Sequence, residues 1–312
     1  MAVTAAAAFL VAALGAPVFA RVALRTGIVD HPGPLKVQRR PVPYLGGLAV
    51  LLGMLAPVAL REPSWLLALV PAAALGLWDD MRSVPARVRL AGEVTIGIVA
   101  AWASPASHAV EYVLVVAIVV VLVNAVNLLD GLDALAAGVV FVSALGFAVL
   151  LDGDVAVVAV ALAAALGGLL VWNRPPARIY LGDAGSYLLG TALALLLASA
   201  LTSGSAPTGA GALLLVAVPV ADTAVAILRR WRVHRPLFEG DRGHVYDQLV
   251  DGGWSPTTAV AGCVGAQAVF TGIGLLASQL GEAGSIVLVA GTVVTVGLLA
   301  VIRFTAPSRW SS

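Results

Sequence analysis

Apolar runs of about 20 residues recur from one end of the chain to the other, and each is long enough to cross a bilayer as a helix. Such runs leave few architectures open. In hydrocarbon every backbone N–H and C=O must be satisfied within the protein, so spanning segments are helices or closed barrels. Barrel strands would place polar residues at alternate positions, and these runs do not. A soluble domain carries about 25% charged residues; here 60% of residues are hydrophobic and 11% charged. A soluble bundle would need nearly every helix buried on all sides. The sequence reads as an all-α, polytopic integral membrane bundle, a single unit over 1–312.

Eleven spans are expected, at about 2–24, 45–60, 64–78, 88–103, 110–126, 134–151, 155–172, 184–203, 211–230, 257–278 and 284–303. Residues 1–20 end in the leader-like APVFA, but no basic residue precedes the apolar run, while Arg21 and Arg25 follow it. The segment reads as a retained first helix with its N-terminus outside. With that orientation, only Arg61 of the 18 Lys and Arg residues falls outside. The positive-inside rule therefore supports the count and places the C-terminus in the cytoplasm. The net charge of +1 gives no general attraction for nucleic acid. The single cysteine, Cys263, excludes an internal disulfide and a cysteine metal cluster.

Carboxylates do not enter the positive-inside rule, yet they sort as well. Asp79, Asp80, Asp130, Asp133 and Asp183 all fall on the cytoplasmic side, at or near helix ends. The loops there, at about 25–44, 79–88, 127–134, 173–184 and 229–256, are the expected active-site loops. Carboxylates beside cations suit Mg²⁺ and phosphate, because Mg²⁺ takes one or two carboxylates plus substrate phosphates. Asp79, Asp80 and Asp183 are the candidate ligands, with Mn²⁺ as an alternative ion. Each has a plainer reading. Asp183, between Gly182 and Gly185, suits a helix N-cap. Asp79–Asp80 suits a solvated pair beside Arg82. Asn124 and Asn127 suit interhelical hydrogen bonds, and Asp130 and Asp133 suit turn chemistry around Gly131. Four polar residues at spacing three drift around half a regular helix; they share a face only if the segment breaks near Gly131. Lys36, Arg39 and Arg40 would meet phosphates or anionic lipid. The basic loop with Arg229, Arg230, Arg232, Arg235, Arg242, His234 and His244 at least orients the chain. Tyr180 reads as an interfacial aromatic or a stacking face for a base. Asp222, inside the ninth span, marks function or pairs with Arg229 or Arg230.

Five stretches in order, VDHPGPLKVQRRPVPYLGG, GLWDDMRSVPARVRL, NAVNLLDGLDALAAG, WNRPPARIYLGDAGS and VPVADTAVAILRR, resemble the polyprenyl-phosphate N-acetylhexosamine-1-phosphate transferase superfamily (the glycosyltransferase family 4 type). The likeness covers nearly the whole chain. It leans toward the undecaprenyl- or decaprenyl-phosphate GlcNAc-1-phosphate transferases rather than the phospho-MurNAc-pentapeptide translocases. The resemblance implies Mg²⁺-dependent transfer of a sugar 1-phosphate from a UDP-sugar to polyprenyl phosphate, with release of UMP, at the cytoplasmic face of the cell membrane. A groove between spans would admit the isoprenoid sideways, and the resemblance leaves room for a homodimer. It implies that Asp79 and Asp80 serve the metal–phosphate centre and the lipid phosphate. Asp183 would ligate Mg²⁺, while Asn127, Asp130 and Asp133 would lie near the nucleotide. Lys36 would contact the nucleotide-sugar and Tyr180 would stack on uracil. Asn124 and Asn173 match motif asparagines, and the loop with Arg242 and His244 would cover the sugar phosphate. Two departures stand out. Gln38 replaces a histidine, and of an H-x-H-H cluster only His244 remains, with Tyr246 and Asp247 in the other two places. The rival readings are a secondary transporter, with ionisable groups at mid-membrane on broken helices, and a catalytically altered member of the superfamily.

Overall fold

Helix α8, Gly182–Thr202, is the axis of the molecule, and nearly every one of its residues is buried. Only α8 starts with GDAGS and continues apolar on all faces, so it can be surrounded by neighbours rather than lipid. The computed structural model describes residues 1–31, 40–202, 204–234 and 243–305. Lys36 and Arg242 lie outside these residues, as do Gln38, Arg39 and Arg235.

Around α8 run α1 (Ala2–Thr26), α2 (Gly46–Arg61), α3 (Leu66–Met81), α4 (Ala86–Ala103), α5 (Ala109–Leu129), α6 (Leu135–Leu150) and α7 (Gly153–Asn173). After it come α9 (Ala206–Leu214), α10 (Ala217–Arg232), the short α11 (Val245–Asp251), α12 (Pro256–Ser278) and α13 (Glu282–Phe304). Helices α3, α5 and α2 pack on α8, and α1 packs on α7 and α2. One two-stranded antiparallel ribbon, Val29–Asp30 (β1) with Val42–Pro43 (β2), lies before α2. The all-helical expectation did not include it.

Among the described residues six helices are long and apolar enough to cross a membrane: α1, α5, α7, α8, α12 and α13. Helices α9 and α10 make a seventh if counted as one span bent by 61°. The protein is therefore a multi-pass membrane protein. Each of the eleven expected spans overlaps a helix, but α2, α3, α4 and α6 are not among those long and apolar enough to cross, and the ninth is not one straight helix. Its break at Leu215–Val216 frees backbone groups in an apolar setting, where each must find a partner. The fully buried side chain of Gln267 supplies them. Its Nε2 donates to the Leu214 and Leu215 carbonyls at 3.2 and 3.1 Å, and its Oε1 accepts the Val218 N–H at 3.1 Å.

Glycines set how closely the central helices approach. A Cβ on Gly76 of α3 would run into the Asp183 carbonyl, and would stand 2.5 Å from the Ala184 nitrogen. Small residues at helix crossings let backbones touch, and this crossing brings the end of α3 to the start of α8. At the opposite end of the bundle, Arg61 pairs with Asp154 at 3.1 Å, both side chains about half exposed.

Candidate active site

The turn from α7 into α8 is built by backbone pairing. The Tyr180 N–H donates to the Pro43 carbonyl, and the Gly46 and Gly47 N–H groups donate to the Tyr180 and Leu181 carbonyls. Gly182 then adopts φ +75°, a left-handed conformation that costs an L side chain about 1–2 kcal/mol, and α8 begins. Its first free amides point at the end of α3. Asp80 receives them: its Oδ1 accepts the Asp183 N–H at 2.9 Å and its Oδ2 the Ala184 N–H at 3.0 Å. A carboxylate at a helix N-terminus satisfies orphan donors and the helix dipole together. The cap therefore comes from another helix, and Asp183 is left to project its side chain into the site.

Asp183 Oδ1 accepts from Asn127 Nδ2 at 2.7 Å, and the same amide reaches Ser186 Oγ at 3.1 Å. Asp79, beside Asp80, is held by three donors: the Val84 N–H at 2.8 Å, Arg89 Nη1 at 3.0 Å and the Tyr187 hydroxyl at 3.1 Å. Its side chain is 6% exposed, so it is not the solvated loop pair that one reading allowed. The charge of Asp79 acts on the Asp183 carboxyl, so the two are near neighbours. Two carboxylates that close repel unless a proton or a cation lies between them.

Helix α5 ends at Leu129, and residues 130–134 turn, with Ala134 at φ 65°. The break near Gly131 is thus present, and it lets Asn127 and Asp130 face the same side as Asp183. Burial first, then the charges of Asp183, Asp80 and Asp133, hold the Asp130 carboxyl well above the usual carboxylate range. Asp133 plays a structural part, in that its Oδ2 accepts the Ala177 N–H at 2.8 Å. Asn173 does likewise, accepting the Ala134 N–H at 3.0 Å and donating to the Ile179 carbonyl at 2.9 Å. These two side chains lock the 130–134 turn to the 174–181 loop. Tyr180 lies on that loop, half-buried, with its ring 6.1 Å from that of Tyr44. Burial and the nearby charges of Asp133, Asp30 and Asp130 push its hydroxyl up to about 12, so it stays a neutral phenol.

Asn124 takes no direct part in this cluster. It donates to Glu93 of α4 at 2.5 Å and to the Val120 carbonyl at 2.9 Å, the interhelical alternative that its spacing allowed. Asp222 does not need Arg229 or Arg230 as its partner; it bonds to His244 (Nδ1 to Oδ2, 2.7 Å) and to the Val245 N–H (2.6 Å). Three side chains at the site were not singled out from sequence: Arg89, Glu93 and Tyr187. Tyr187 lies four residues after Asp183, one helical turn on, and Arg89 and Glu93 share the same spacing; that periodicity is the signal that could have found them.

The donor set tests the implied divalent ion. Asp79, Asp80, Asp130 and Asp183 are hard oxygen donors, and among the described residues Arg89 forms an ion pair with Asp79. That excess of negative charge, with two facing carboxyls, fits a hard cation such as Mg²⁺. Among the described residues no three acidic, histidine or cysteine side chains stand in a ready-made ligating array. The fit to Mg²⁺ is therefore one of donor chemistry alone, hard oxygen donors gathered at one end of the bundle.

Fold and site together define a multi-pass membrane protein whose polar groups gather at one end of the helix bundle. A glycosyl transferase family 4 profile matches residues 63–201. A glycosyltransferase so named in Streptomyces coelicolor is 34% identical, over 98% of this chain and 78% of that protein. A Bacillus subtilis protein named as an undecaprenyl-phosphate N-acetylglucosaminyl 1-phosphate transferase is 30% identical, over 78% and 75%. The decaprenyl-phosphate N-acetylglucosaminephosphotransferase of Mycobacterium tuberculosis (strain H37Rv) is 30% identical, over 75% and 71%. The chain belongs to glycosyl transferase family 4, as an enzyme of the polyprenyl-phosphate hexosamine-1-phosphate transferase superfamily, close to its GlcNAc-1-phosphate branch.

Proposed function

We propose that this enzyme transfers a sugar 1-phosphate, GlcNAc-1-phosphate or a related N-acetylhexosamine 1-phosphate, from a UDP-sugar to polyprenyl phosphate. UMP is released, and a cell-envelope glycopolymer begins. The observation that carries the reading is the meeting of Asp79, Asp80, Asn127 and Asp183, from three separate segments, at the buried start of α8. The relatives' names supply the substrate class.

In the reaction, an oxygen of the lipid phosphate attacks the β-phosphorus of the UDP-sugar. The bond from that phosphorus to the oxygen bridging it to the α-phosphate breaks, and UMP leaves with the bridging oxygen. The lipid phosphate is already largely ionised near neutral pH, so alignment matters more than a strong base. Both reactants are anions, and the chain must offset their repulsion. Asp183, Asp79 and Asp80 would hold Mg²⁺, which when bound neutralises pyrophosphate charge. Arg89 fixes Asp79, and Asn127 fixes Asp183 in one orientation. Tyr180 offers a neutral ring for the uracil, and Asp130 borders the nucleotide. Lys36, Arg242 and His244 would complete the phosphate contacts.

The lipid tail also has a place. An apolar cavity of about 590 Å³ opens between α5, α10 and α13, lined among others by Leu114, Ile118, Val121, Val220, Leu228 and Val301. Along α5 the lining reaches Leu122, roughly 8 Å of helix rise short of Asn127. An isoprenoid lying there would hold its phosphate near the carboxylates. A cytoplasmic orientation of the site is supported by the 17 basic residues on that side of the expected topology and by the cytoplasmic origin of UDP-sugars. A transporter reading has less support: the break before α10 is the kind that transporters use, but its polar partner is the amide Gln267 rather than an ionisable group.

The test is purified protein with polyprenyl phosphate, Mg²⁺ and a panel of UDP-sugars, followed by UMP release. One sugar should support turnover, and a chelator should stop it. Sided uptake of a solute without UMP release would favour the transporter.

A further inference from the structure

Asp222 is a buried acid that the transfer chemistry above does not use. It is 3% exposed, and each of its carboxylate oxygens is engaged. One meets His244 Nδ1 at 2.7 Å, and the other accepts the Val245 N–H at 2.6 Å. His244 is itself buried and stands at the start of α11. Its ring lies nearly parallel to that of Tyr246, with centroids 5.5 Å apart. The Tyr246 hydroxyl donates to the Leu128 carbonyl at 3.1 Å, and Tyr246 packs so closely on Gly131 that a Cβ there would collide with the phenol. His244 therefore stands one ring away from the turn that carries Asp130 and Asp133. Among the described residues, Arg229 and Arg230 are buried on the same helix α10 as Asp222, and Asp247 is buried on α11 with His244 at its start; the Arg229 guanidinium lies against Gly243.

A carboxylate facing Nδ1 keeps the proton on that nitrogen, which decides what the other nitrogen can do. We infer that Asp222 is a positioning residue for the transfer: it holds His244 in the Nδ1–H form with the ring fixed, so that Nε2 addresses the phosphates of the nucleotide-sugar. Tyr246, standing where the superfamily has a histidine, serves as the strut that sets this loop over the Asp130 turn. A single oriented imidazole thus takes the place of a histidine cluster. The inference rests on the transferase reading and deepens it.

Asp222→Asn separates this role from a merely mechanical one. The amide oxygen still accepts the Val245 N–H, so the loop stays tied, but the amide nitrogen now donates toward Nδ1 and favours the opposite tautomer. ¹⁵N-histidine NMR of the detergent-solubilised protein reads the tautomer directly. The chain has four histidines, and loss of signal in His244→Ala identifies the one in question. Wild type should carry the proton of its neutral ring on Nδ1, and Asp222→Asn should move it to Nε2. The variant should lose about 10- to 100-fold in kcat/KM for the UDP-sugar, the scale seen when the partner that fixes a functional histidine's tautomer is removed. Its KM for polyprenyl phosphate and its melting temperature should barely change. In the His244→Ala background, Asp222→Asn should cost less than about twofold more, because coupled residues are non-additive. An unchanged tautomer, an additive loss in that background, or full turnover by His244→Ala would each overturn the proposal. Absence of UMP release from wild type would instead sink the transferase reading, and the NMR result would still decide the Asp222–His244 pair.

Discussion

The crossing of α3 and α8 offers a test of the site that touches none of its functional groups. Gly76 has no side chain, and its Cα lies against the backbone of Asp183 and Ala184. In Gly76→Ala the new Cβ would stand 2.5 Å from the Ala184 nitrogen, where ordinary contact begins near 3.4 Å. Helix α3 must therefore retreat by about 1 Å. Overpacking of this kind costs about 1–3 kcal/mol of stability. The larger effect falls on chemistry. Asp79 and Asp80 lie three and four residues on from Gly76, about one helical turn, and would move with it away from Asp183 and Asn127. A misplacement of about 1 Å costs on the order of 10²-fold in rate. UMP release by purified variant and wild type, each with a melting curve in the same detergent, measures both effects. Gly272→Ala and Gly291→Ala are the controls, since a Cβ at either position meets nothing within 4 Å; both should be neutral or slightly stabilising. Turnover by Gly76→Ala within twofold of wild type would refute the view that this backbone contact sets the carboxylate geometry.

Asp183→Asn should abolish UMP release with little loss of stability, because an amide can still meet Asn127; near-normal turnover would remove Asp183 from the centre. Asp80→Asn should abolish turnover and, because one oxygen is left for the Asp183 and Ala184 N–H donors, lower stability by about 1–3 kcal/mol, the cost of an unsatisfied buried donor, which thermal denaturation would register. Gln267→Leu should destabilise by several kcal/mol, since three backbone groups at the α9–α10 break lose their partner at about 1–3 kcal/mol each; an unchanged melting temperature would show that the break relaxes into a regular helix. Tyr180→Ala should weaken binding of uridine nucleotides while leaving lipid-phosphate affinity alone, and equal titration curves for UMP would take the ring out of the pocket.

Much of this protein was legible as sequence because membrane insertion is a local, one-dimensional filter. Apolar length alone demands helices, and the positions of Arg and Lys supply an expected order for their ends. That Asp79, Asp80, Asp130, Asp133 and Asp183 lie at helix ends followed from the same reading, and so did the need for a break near Gly131. Side-chain partnership is not local, and there the sequence was silent. Nothing in DD or GDAGS says that Asp80 caps the helix on which Asp183 stands, or that Asp79 is claimed by Arg89 and Tyr187. Asn127 and Asn124 look alike in sequence, yet one meets Asp183 and the other Glu93, because a step of three residues leaves their side chains about 60° apart around the helix and about 4.5 Å apart along it, so each faces a different neighbouring helix. Gln267 reads as a stray polar residue in an apolar span until the broken helix beside it appears. Only packing, set by glycine contacts such as Gly76 on Asp183, decides which of many polar groups share one small volume. Charge and hydrogen bonding act across that volume irrespective of distance along the chain.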